Sequence, residues 1–168
     1  MGRRMTIFRI SGLIAISVLF AFIVAPAAPA KAQSATASRL IDYVNAARIE
    51  NGLPAVPEHT RLSLAALTHA RDMAENGFVE HKGSDGSNLE QRITRTGYAW
   101  NLLAENVAAG QETVQEVVQG WMKSPGHKEN ILNEEITEIG AGHVAVIHGG
   151  AGKNYTHFWV VVFGRRQN

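Results

Sequence analysis

The sequence contains no cysteine among its 168 residues. Disulfide bonds, which many exported domains use, are therefore excluded, and the fold has to be stabilised by the burial of apolar side chains. The absence of cysteine also excludes a thiol nucleophile and thiolate metal ligands. Any metal site in this chain must be built from histidine and carboxylate side chains.

A basic excess is also missing once the N-terminal segment is set aside. The first 32 residues hold four of the 16 basic residues and none of the acidic ones, so 12 basic and 15 acidic residues remain. The remaining chain is therefore slightly acidic, and a nucleic-acid partner, which requires a clustered basic face, is not expected. Internal repeats and long acidic runs are absent as well.

The N-terminal segment has the pattern of an export signal. Three arginines precede an uncharged apolar run from Ile10 to Val24, and a proline- and alanine-rich stretch ends in "AKAQS". This pattern predicts a signal peptide over residues 1–32, cleaved after Ala32. The alternative is an uncleaved membrane anchor, but the apolar run is shorter than the roughly 20 residues that a membrane span requires. We therefore expect export to the periplasm or the extracellular medium, with no membrane span left after cleavage.

The remaining 136 residues are enough for one domain over residues 39–168, preceded by a loose leader at 33–38. Apolar residues at helical spacing predict a first helix that ends at Gly52 and Pro54, and a second that ends at Gly77. His69, on the second helix, is expected to be half-buried and without a functional role. The residues expected to face inward are Leu40, Ile41, Val44, Ala47 and Ile49 in the first helix, and Leu62, Ala66, Ala70 and Met73 in the second.

Three more helices follow from their start signals. Ser87 with Glu90, and Thr113 with Glu116, each fit a capping box, in which two side chains satisfy N–H groups at a helix N-terminus. A further helix is predicted to begin at Pro125, because proline suits the first helical position. The helix after Thr113 is expected to bury the apolar residues Val114, Val117, Val118 and Trp121.

The end of the chain predicts strands. Branched and aromatic residues fill "ITEIGAGHVAVI" and "YTHFWVVVFG", and the glycine-rich "HGGAGKN" separates them, as in a hairpin. The run "FWVVVF" is apolar at consecutive positions, which indicates that helices cover both faces of the sheet. A short additional strand is predicted over Tyr98 to Leu103. Helices followed by a hairpin make an α+β domain, here with three layers.

Three polar residues stand where a purely structural role would not require them. They are His81 in the loop "FVEHKGSDGS", Glu105 inside the apolar "AENVAAG", and His127 at the start of the last predicted helix. Two imidazoles and a carboxylate form a ligand set for zinc or an acid–base pair. The helix N-terminus favours the neutral form of His127, which binds metals and accepts protons. A structural role stays open for Glu105, which would equally pin a loop by accepting backbone N–H groups.

The order of four motifs resembles the CAP superfamily, which includes cysteine-rich secretory proteins, venom antigens and pathogenesis-related plant proteins. The motifs are "HTRLSLAALTHARDMAENGFVEHKGSDGS", "AENVAAG", "VVQGWMKSPGHKENILN" and "HFWVVVFG", and the resemblance covers nearly all of Leu40 to Gly164. The chain looks like the cysteine-free bacterial branch. The resemblance implies a three-layer α-β-α sandwich with a central antiparallel sheet. It also implies a cleft with two histidines and two acids, occupied in some members by a divalent metal.

The resemblance also assigns positions in that cleft. His81 matches the family's first histidine, Glu105 matches the glutamate of the G-E-N element, and His127 matches the histidine of the bacterial S-P-G-H element. The chain departs from the pattern because alanine precedes Glu105, and because Phe158 lies about where the second histidine of animal and plant members begins the last strand. The fourth member of the set therefore stays open, with three candidates: Glu80, Asp85 and His157.

Different members of the superfamily bind sterols, lipids or proteins, so the resemblance implies a binding role. We expect a monomeric exported module for a lipid, small-molecule or protein ligand. A divalent cation, zinc foremost, is expected on His81, Glu105 and His127. The alternative is a secreted metal-assisted hydrolase of the peptidase kind, in which Glu105 acts as the base. The chain has no H-E-x-x-H motif and no recognisable Ser-His-Asp set, so we favour the binding role.

Overall fold

The computed structural model describes residues 30–146 and 155–167, with side chains described from Ser34 onward. Nearly all of the predicted signal peptide and the glycine-rich turn of the hairpin lie outside these residues. Within the described part, no helix is both long and apolar enough to cross a membrane. The elements, in chain order, are α1 (Ala30–Glu50), α2 (Thr60–Asn76), α3 (Leu89–Arg95), β1 (Trp100–Ala109), α4 (Val114–Lys123), α5 (Pro125–Ile131), β2 (Glu138–Ala145) and β3 (His157–Arg166).

The three strands form one antiparallel sheet in the order β1-β3-β2. The central strand β3 is buried on both faces, because successive side chains point to opposite sides of a sheet. Trp159, Val161 and Phe163 pack against α1, α4 and α5, whereas Phe158, Val160 and Val162 pack against α2 and α3. The predicted α-β-α sandwich with a central antiparallel sheet is confirmed.

Helix α2 lies unusually close to β2 because two glycines of that strand leave room for it. A Cβ atom added to Gly140 would lie 2.2 Å from the backbone nitrogen of Ser63. A Cβ atom added to Gly142 would lie 2.3 Å from the backbone nitrogen of Leu67. Both distances are far shorter than any van der Waals contact, so the sequence "GAG" of β2 sets the spacing between the sheet and the α2 layer.

The helical pattern is confirmed with two corrections in α1. Ile49 was expected to face inward, but it is 62% exposed. It lies nine residues, or two and a half helical turns, after the buried Leu40, and therefore on the opposite face of the helix. The segment 33–38, expected to be a loose leader, is helical, because α1 extends back to Ala30 through an alanine-rich stretch that favours helix.

The first predicted capping box is shifted by one residue. Asn88, not Ser87, caps α3, and its partner is Gln91, not Glu90. Ser87 is buried, and its backbone N–H donates to Asp85, so the preceding loop already uses it. The second predicted box, Thr113 with Glu116 at the start of α4, is confirmed.

The predicted strand over Tyr98 to Leu103 is wrong in its limits, because β1 runs from Trp100 to Ala109 and includes Glu105. Hydrogen bonding to the central strand β3 extends β1 through these polar residues, whatever their local preference. Tyr98 is instead buried beside the sheet, where its hydroxyl donates to Glu138 at 2.6 Å.

Arg48 connects α1 to the end of α5. Its side chain is fully buried, and its guanidinium donates to the backbone carbonyl oxygens of Pro54, Ile131 and Asn133. No carboxylate in the described part of the chain pairs with it. Arg48 therefore helps to fix α5, the helix that carries His127, by satisfying carbonyl groups at its C-terminal end.

Candidate functional site

Glu105 lies at the centre of the candidate site, on the edge strand β1. It pairs with Val162 in the sheet, so its side chain points to the α2–α3 face. The carboxylate is almost fully buried, and both of its oxygens are bound: Oε1 to Nδ1 of His81 at 2.9 Å, and Oε2 to Nη2 of Arg92 at 2.8 Å. A buried carboxylate needs such partners, because its desolvation would otherwise be costly.

Arg92 is a site residue that the sequence analysis missed. It lies on α3, is buried, and donates through Nη1 to the backbone carbonyl oxygens of His81 and Ser87. A single guanidinium thus holds both ends of the loop that carries His81 and also neutralises Glu105. The sequence shows only that Arg92 stands beside the apolar Ile93 in a short helix. No local pattern connects this arginine to Glu105.

His81 is oriented by Glu105. An ionised carboxylate only accepts hydrogen bonds, so Nδ1 of His81 carries the donated proton. The other ring nitrogen, Nε2, has no hydrogen-bond partner among the described residues, and 61% of the side chain is exposed. The hydrogen bond to Glu105 raises the pKa of His81, which widens the pH range over which this imidazole is positively charged.

His127 approaches the same edge of the sheet from the other layer. Its backbone oxygen accepts a hydrogen bond from Nδ2 of Asn106 at 3.0 Å. Asn130, one turn later in α5, donates to the backbone oxygen of Glu105 and to Oδ1 of Asn106. Asn130 therefore ties α5 to β1.

The two imidazoles have opposite pKa shifts. Burial lowers the pKa of His127, and the nearby charge of His81 lowers it further, so the two rings lie within electrostatic range of each other. The lowered pKa favours the neutral form of His127, and the raised pKa favours the protonated form of His81. Such a pair can act as an acid and a base, or can offer one cationic donor and one neutral acceptor to a ligand.

The three weaker candidates do not join this cluster. Glu80 is exposed, and its backbone oxygen accepts from Nε2 of His69 at 2.9 Å. Hydrogen bonds from the side chain and the backbone N–H of Ser87, and then from the guanidinium of Arg95, hold the pKa of Asp85 low. His157 hydrogen-bonds to another histidine on a different part of the sheet. The second group bound to Glu105 is therefore a cation, Arg92, rather than any predicted fourth member.

His69 differs from expectation in its degree of burial, because it is fully buried rather than half-buried. Since a carbonyl oxygen only accepts, its Nε2 is the protonated nitrogen that donates to Glu80. Its role is to hold the start of the loop that leads to His81.

A three-ligand zinc site does not fit this arrangement. Among the described residues, no group of three or more histidine or carboxylate side chains is placed to hold a metal ion. Both oxygens of Glu105 are already bound, and the guanidinium of Arg92 lies 2.8 Å from the carboxylate, where it would repel a dication. The structure therefore gives no support for zinc on His81, Glu105 and His127; a zinc titration tests this, and we derive no chemical step from the metal.

The cleft above this cluster has a volume of about 430 Å³ and is lined in part by His81, Lys82, Leu89 and Glu105. This volume lies within the range of small-molecule sites. The lining combines two basic residues, His81 and Lys82, with two carboxylates, Glu90 and Glu105, and with the apolar side chain of Leu89.

Comparison with known proteins gives the family context. The family model of the cysteine-rich secretory protein family matches residues 41–163. The uncharacterized protein YkwD of Bacillus subtilis is 33% identical over 111 residues, which make up 66% of this chain and 43% of YkwD. An uncharacterized protein of Borreliella burgdorferi is 30% identical over 106 residues, 63% of either chain. The chain therefore spans less than half the length of YkwD.

Two solved structures have the same architecture. An extracellular protein of Bacillus anthracis that contains an SCP domain superposes with a TM-score of 0.71 at 27% identity, over 84% of this chain and 45% of that one. An outer surface protein of Borrelia burgdorferi superposes with a TM-score of 0.71 at 26% identity, over 84% of this chain and 98% of that one.

Proposed function

Because the chain belongs to the cysteine-rich secretory protein (CAP) family, we propose that it is an exported ligand-binding domain whose cleft is built on His81, Glu105 and Arg92. The extracellular and outer-surface placement of two structural relatives supports export of this chain. The N-terminal pattern of charged, apolar and small residues supports the same conclusion.

The observation that carries the proposal is the double engagement of Glu105. Two charge-assisted hydrogen bonds, from His81 and Arg92, stabilise the ionised carboxylate and make it a poor general base. The alternative function, a metal-assisted hydrolase, needs Glu105 to take a proton from water. In addition, no serine or threonine hydroxyl in the described part of the chain hydrogen-bonds to His81. The cluster is better suited to hold a rigid binding surface than to move protons through Glu105.

The chemistry of the cleft favours an amphipathic ligand with an anionic head. Nε2 of His81 and the ammonium group of Lys82 provide positive charge, and Leu89 provides apolar surface. Of the two carboxylates in the lining, Glu90 and Glu105, the second is already neutralised by Arg92. A carboxylate or phosphate head would accept a hydrogen bond from Nε2 of His81, while Nδ1 of the same ring stays bound to Glu105. Binding of such a ligand should weaken above neutral pH, as the imidazolium of His81 loses its proton.

Octanoate is a suitable probe because it combines a carboxylate with a short apolar tail. We expect a titration of the ¹⁵N-labelled domain at pH 6 to shift backbone signals of residues 81–90 and Glu105. His81→Ala should weaken binding about tenfold or more, the effect of losing one charged hydrogen bond. His59→Asn is the matched control, because asparagine keeps the capping ability that His59 supplies to α2.

The proposal is wrong if octanoate shifts only backbone signals outside residues 81–90 and Glu105, or if His81→Ala leaves the affinity for octanoate unchanged. Hydrolysis of a peptide or ester library that depends on Glu105 would instead favour the hydrolase.

A further inference from the structure

A second cluster of histidines lies on the opposite face of the sheet from Glu105. His143 on β2 is the direct cross-strand partner of Trp159 on β3, and His157 precedes Trp159 by two residues. All three side chains therefore point to the α1–α4 face, whereas Glu105 points to the α2–α3 face. His143 is 5% exposed, and His157 is half-buried.

The two imidazole rings face each other edge to edge. Nε2 of His143 and Nδ1 of His157 are 3.0 Å apart, and the ring centroids are 5.2 Å apart. Two five-membered rings reach that centroid separation only when the facing nitrogens lie on the line that joins the centroids. The rings are twisted by only 18°, so they are nearly coplanar and their in-plane nitrogen orbitals point straight at each other.

The indole ring of Trp159 covers the gap between the two nitrogens. Its centroid lies 4.1 Å from that of His143 and 5.8 Å from that of His157, with interplanar angles of 29° and 12°. These separations place the midpoint of the imidazole pair about 4 Å from the indole centroid, inside the roughly 6 Å range of cation–π attraction. A cation held between the nitrogens would thus lie against the face of an indole.

The surroundings define which cation suits this position. No carboxylate in the described part of the chain contacts either imidazole, so a double positive charge would be uncompensated. Two collinear nitrogen ligands are also too few for zinc, which takes four ligands in a tetrahedral arrangement. Linear coordination by two neutral imidazoles is a preference of the monovalent d¹⁰ ions. We propose that His143 and His157, under Trp159, form a binding site for Cu(I) or Ag(I). The metal lies between the two facing nitrogens, and the proton that they now share moves to the outer nitrogen of its own ring, so that both imidazoles stay neutral.

Burial favours the neutral form of His143, which is the form that binds a metal. Desolvation, with the charge of His157, lowers the pKa of His143 to about 4, so its ring is neutral at physiological pH. When Nε2 binds a metal, the proton of His143 must be on Nδ1, which is buried without a hydrogen-bond partner. Oε1 of Gln111 is also buried and unpaired, and the backbone oxygen of Gln111 accepts from the indole N–H of Trp159.

The pair has to open slightly to admit a metal. Two metal–nitrogen bonds of about 2 Å in a straight line span about 4 Å, against the present 3.0 Å. His157 is the first residue of β3 and is the less buried of the two, so the movement falls on its side chain.

The test uses the full mature chain with silver nitrate in chloride-free buffer, and with Cu(I) in anaerobic competition against bicinchoninate. We expect one ion per chain and a change in Trp fluorescence that Trp159→Phe abolishes, although Trp100 and Trp121 remain. His157→Gln should weaken binding by at least about 100-fold, since even the loss of an outer-shell contact costs 10–100-fold. ¹⁵N spectra of the histidine side chains should show the loss of the shared proton, independently of any variant.

Two control variants separate this site from others. His81→Ala should leave the affinity for silver unchanged, because the cleft is on the other face of the sheet. His148→Asn removes a histidine that lies outside the described residues, and it should also have no effect. Binding that requires His81 or His148 would overturn the proposal, as would no binding at micromolar silver or an unchanged affinity in His157→Gln. Failure here would leave the proposed octanoate site unaffected.

Discussion

The ion pair between Arg92 and Glu105 allows the role of the site's centre to be measured as a free energy of unfolding. Replacement of Arg92 by methionine removes the charge at similar volume and leaves the Glu105 carboxylate, which is nearly fully buried, with His81 alone. Removing one partner of a buried ion pair lowers the free energy of unfolding by about 3–5 kcal/mol. The loop carbonyls of His81 and Ser87 lose their donor in the same variant, so we expect the upper half of this range.

Glu105→Gln should cost less, about 2 kcal/mol, because it loses one charged hydrogen bond while Arg92 keeps two carbonyl acceptors. In the double variant neither residue is left charged and unpaired. Its cost should therefore fall short of the sum of the single variants by about 1–3 kcal/mol.

Urea unfolding followed by circular dichroism at pH 7.5 measures all four free energies, provided that the denaturant slope is the same for each protein. Arg95→Met is the matched control, since Arg95 lies one turn later on α3 and pairs with Asp85 at the surface. An exposed pair is worth about 0–1 kcal/mol, so this variant should be nearly neutral. If Arg92→Met cost no more than Arg95→Met, or if the single costs were additive, Glu105 would not be held as we describe.

The remaining predictions concern packing, titration and metal binding. Gly142→Ala should destabilise the fold by about 3 kcal/mol, because the new Cβ atom would collide with the backbone of α2. Gly120→Ala should instead stabilise α4 by about 0.5–1 kcal/mol, because the space around Gly120 is open and alanine favours helix. Thermal unfolding of both variants tests this prediction. His143 has a folded-state pKa near 4, below its unfolded value, so stability should fall as the pH drops from about 6.5 towards 4. Denaturation of His143→Gln across that range should show a flatter profile. Calorimetric titration with zinc should give no tight binding at the cleft, and a one-to-one heat that disappears in His81→Ala and His127→Ala would contradict our account of the ligand set.

Local sequence patterns predicted most of the elements because their causes are local. The end of α2 at Gly77 and the cap of α4 at Thr113 each depend on residues within one helical turn, and the structure has both. The inward face of α2 follows from spacing alone, and all four residues expected there are buried. For Ile49 the position in the helix, half a turn out of phase with Leu40, determines its exposure, and its hydrophobicity does not.

The contacts around the site were only partly predictable, because they depend on which elements the tertiary fold brings together. Arg92 and Glu105 are 13 residues apart on two elements, and neither element's pattern shows that they meet. The pairing of His143 with His157 had a detectable signal: once the hairpin was predicted, residues at similar distances from its turn became candidate neighbours. Its register fixes the contact, and a register shift of one residue would have placed the histidines on opposite faces.

The alternation of side chains along β1 explains how this edge of the sheet holds two histidine segments. Glu105 points to one layer, where it holds the loop of His81 directly and through Arg92. Asn106, the next residue, points to the other layer, where it holds α5 through the backbone of His127 and the side chain of Asn130. Two consecutive residues of an edge strand therefore position two histidine segments that belong to opposite layers, at an edge that no fourth strand covers in the described part of the chain. Glu105 and Asn106 hold these segments only in the present register of β1. A shift of β1 by one residue would exchange the faces to which the two side chains point, and both histidine segments would lose their contacts.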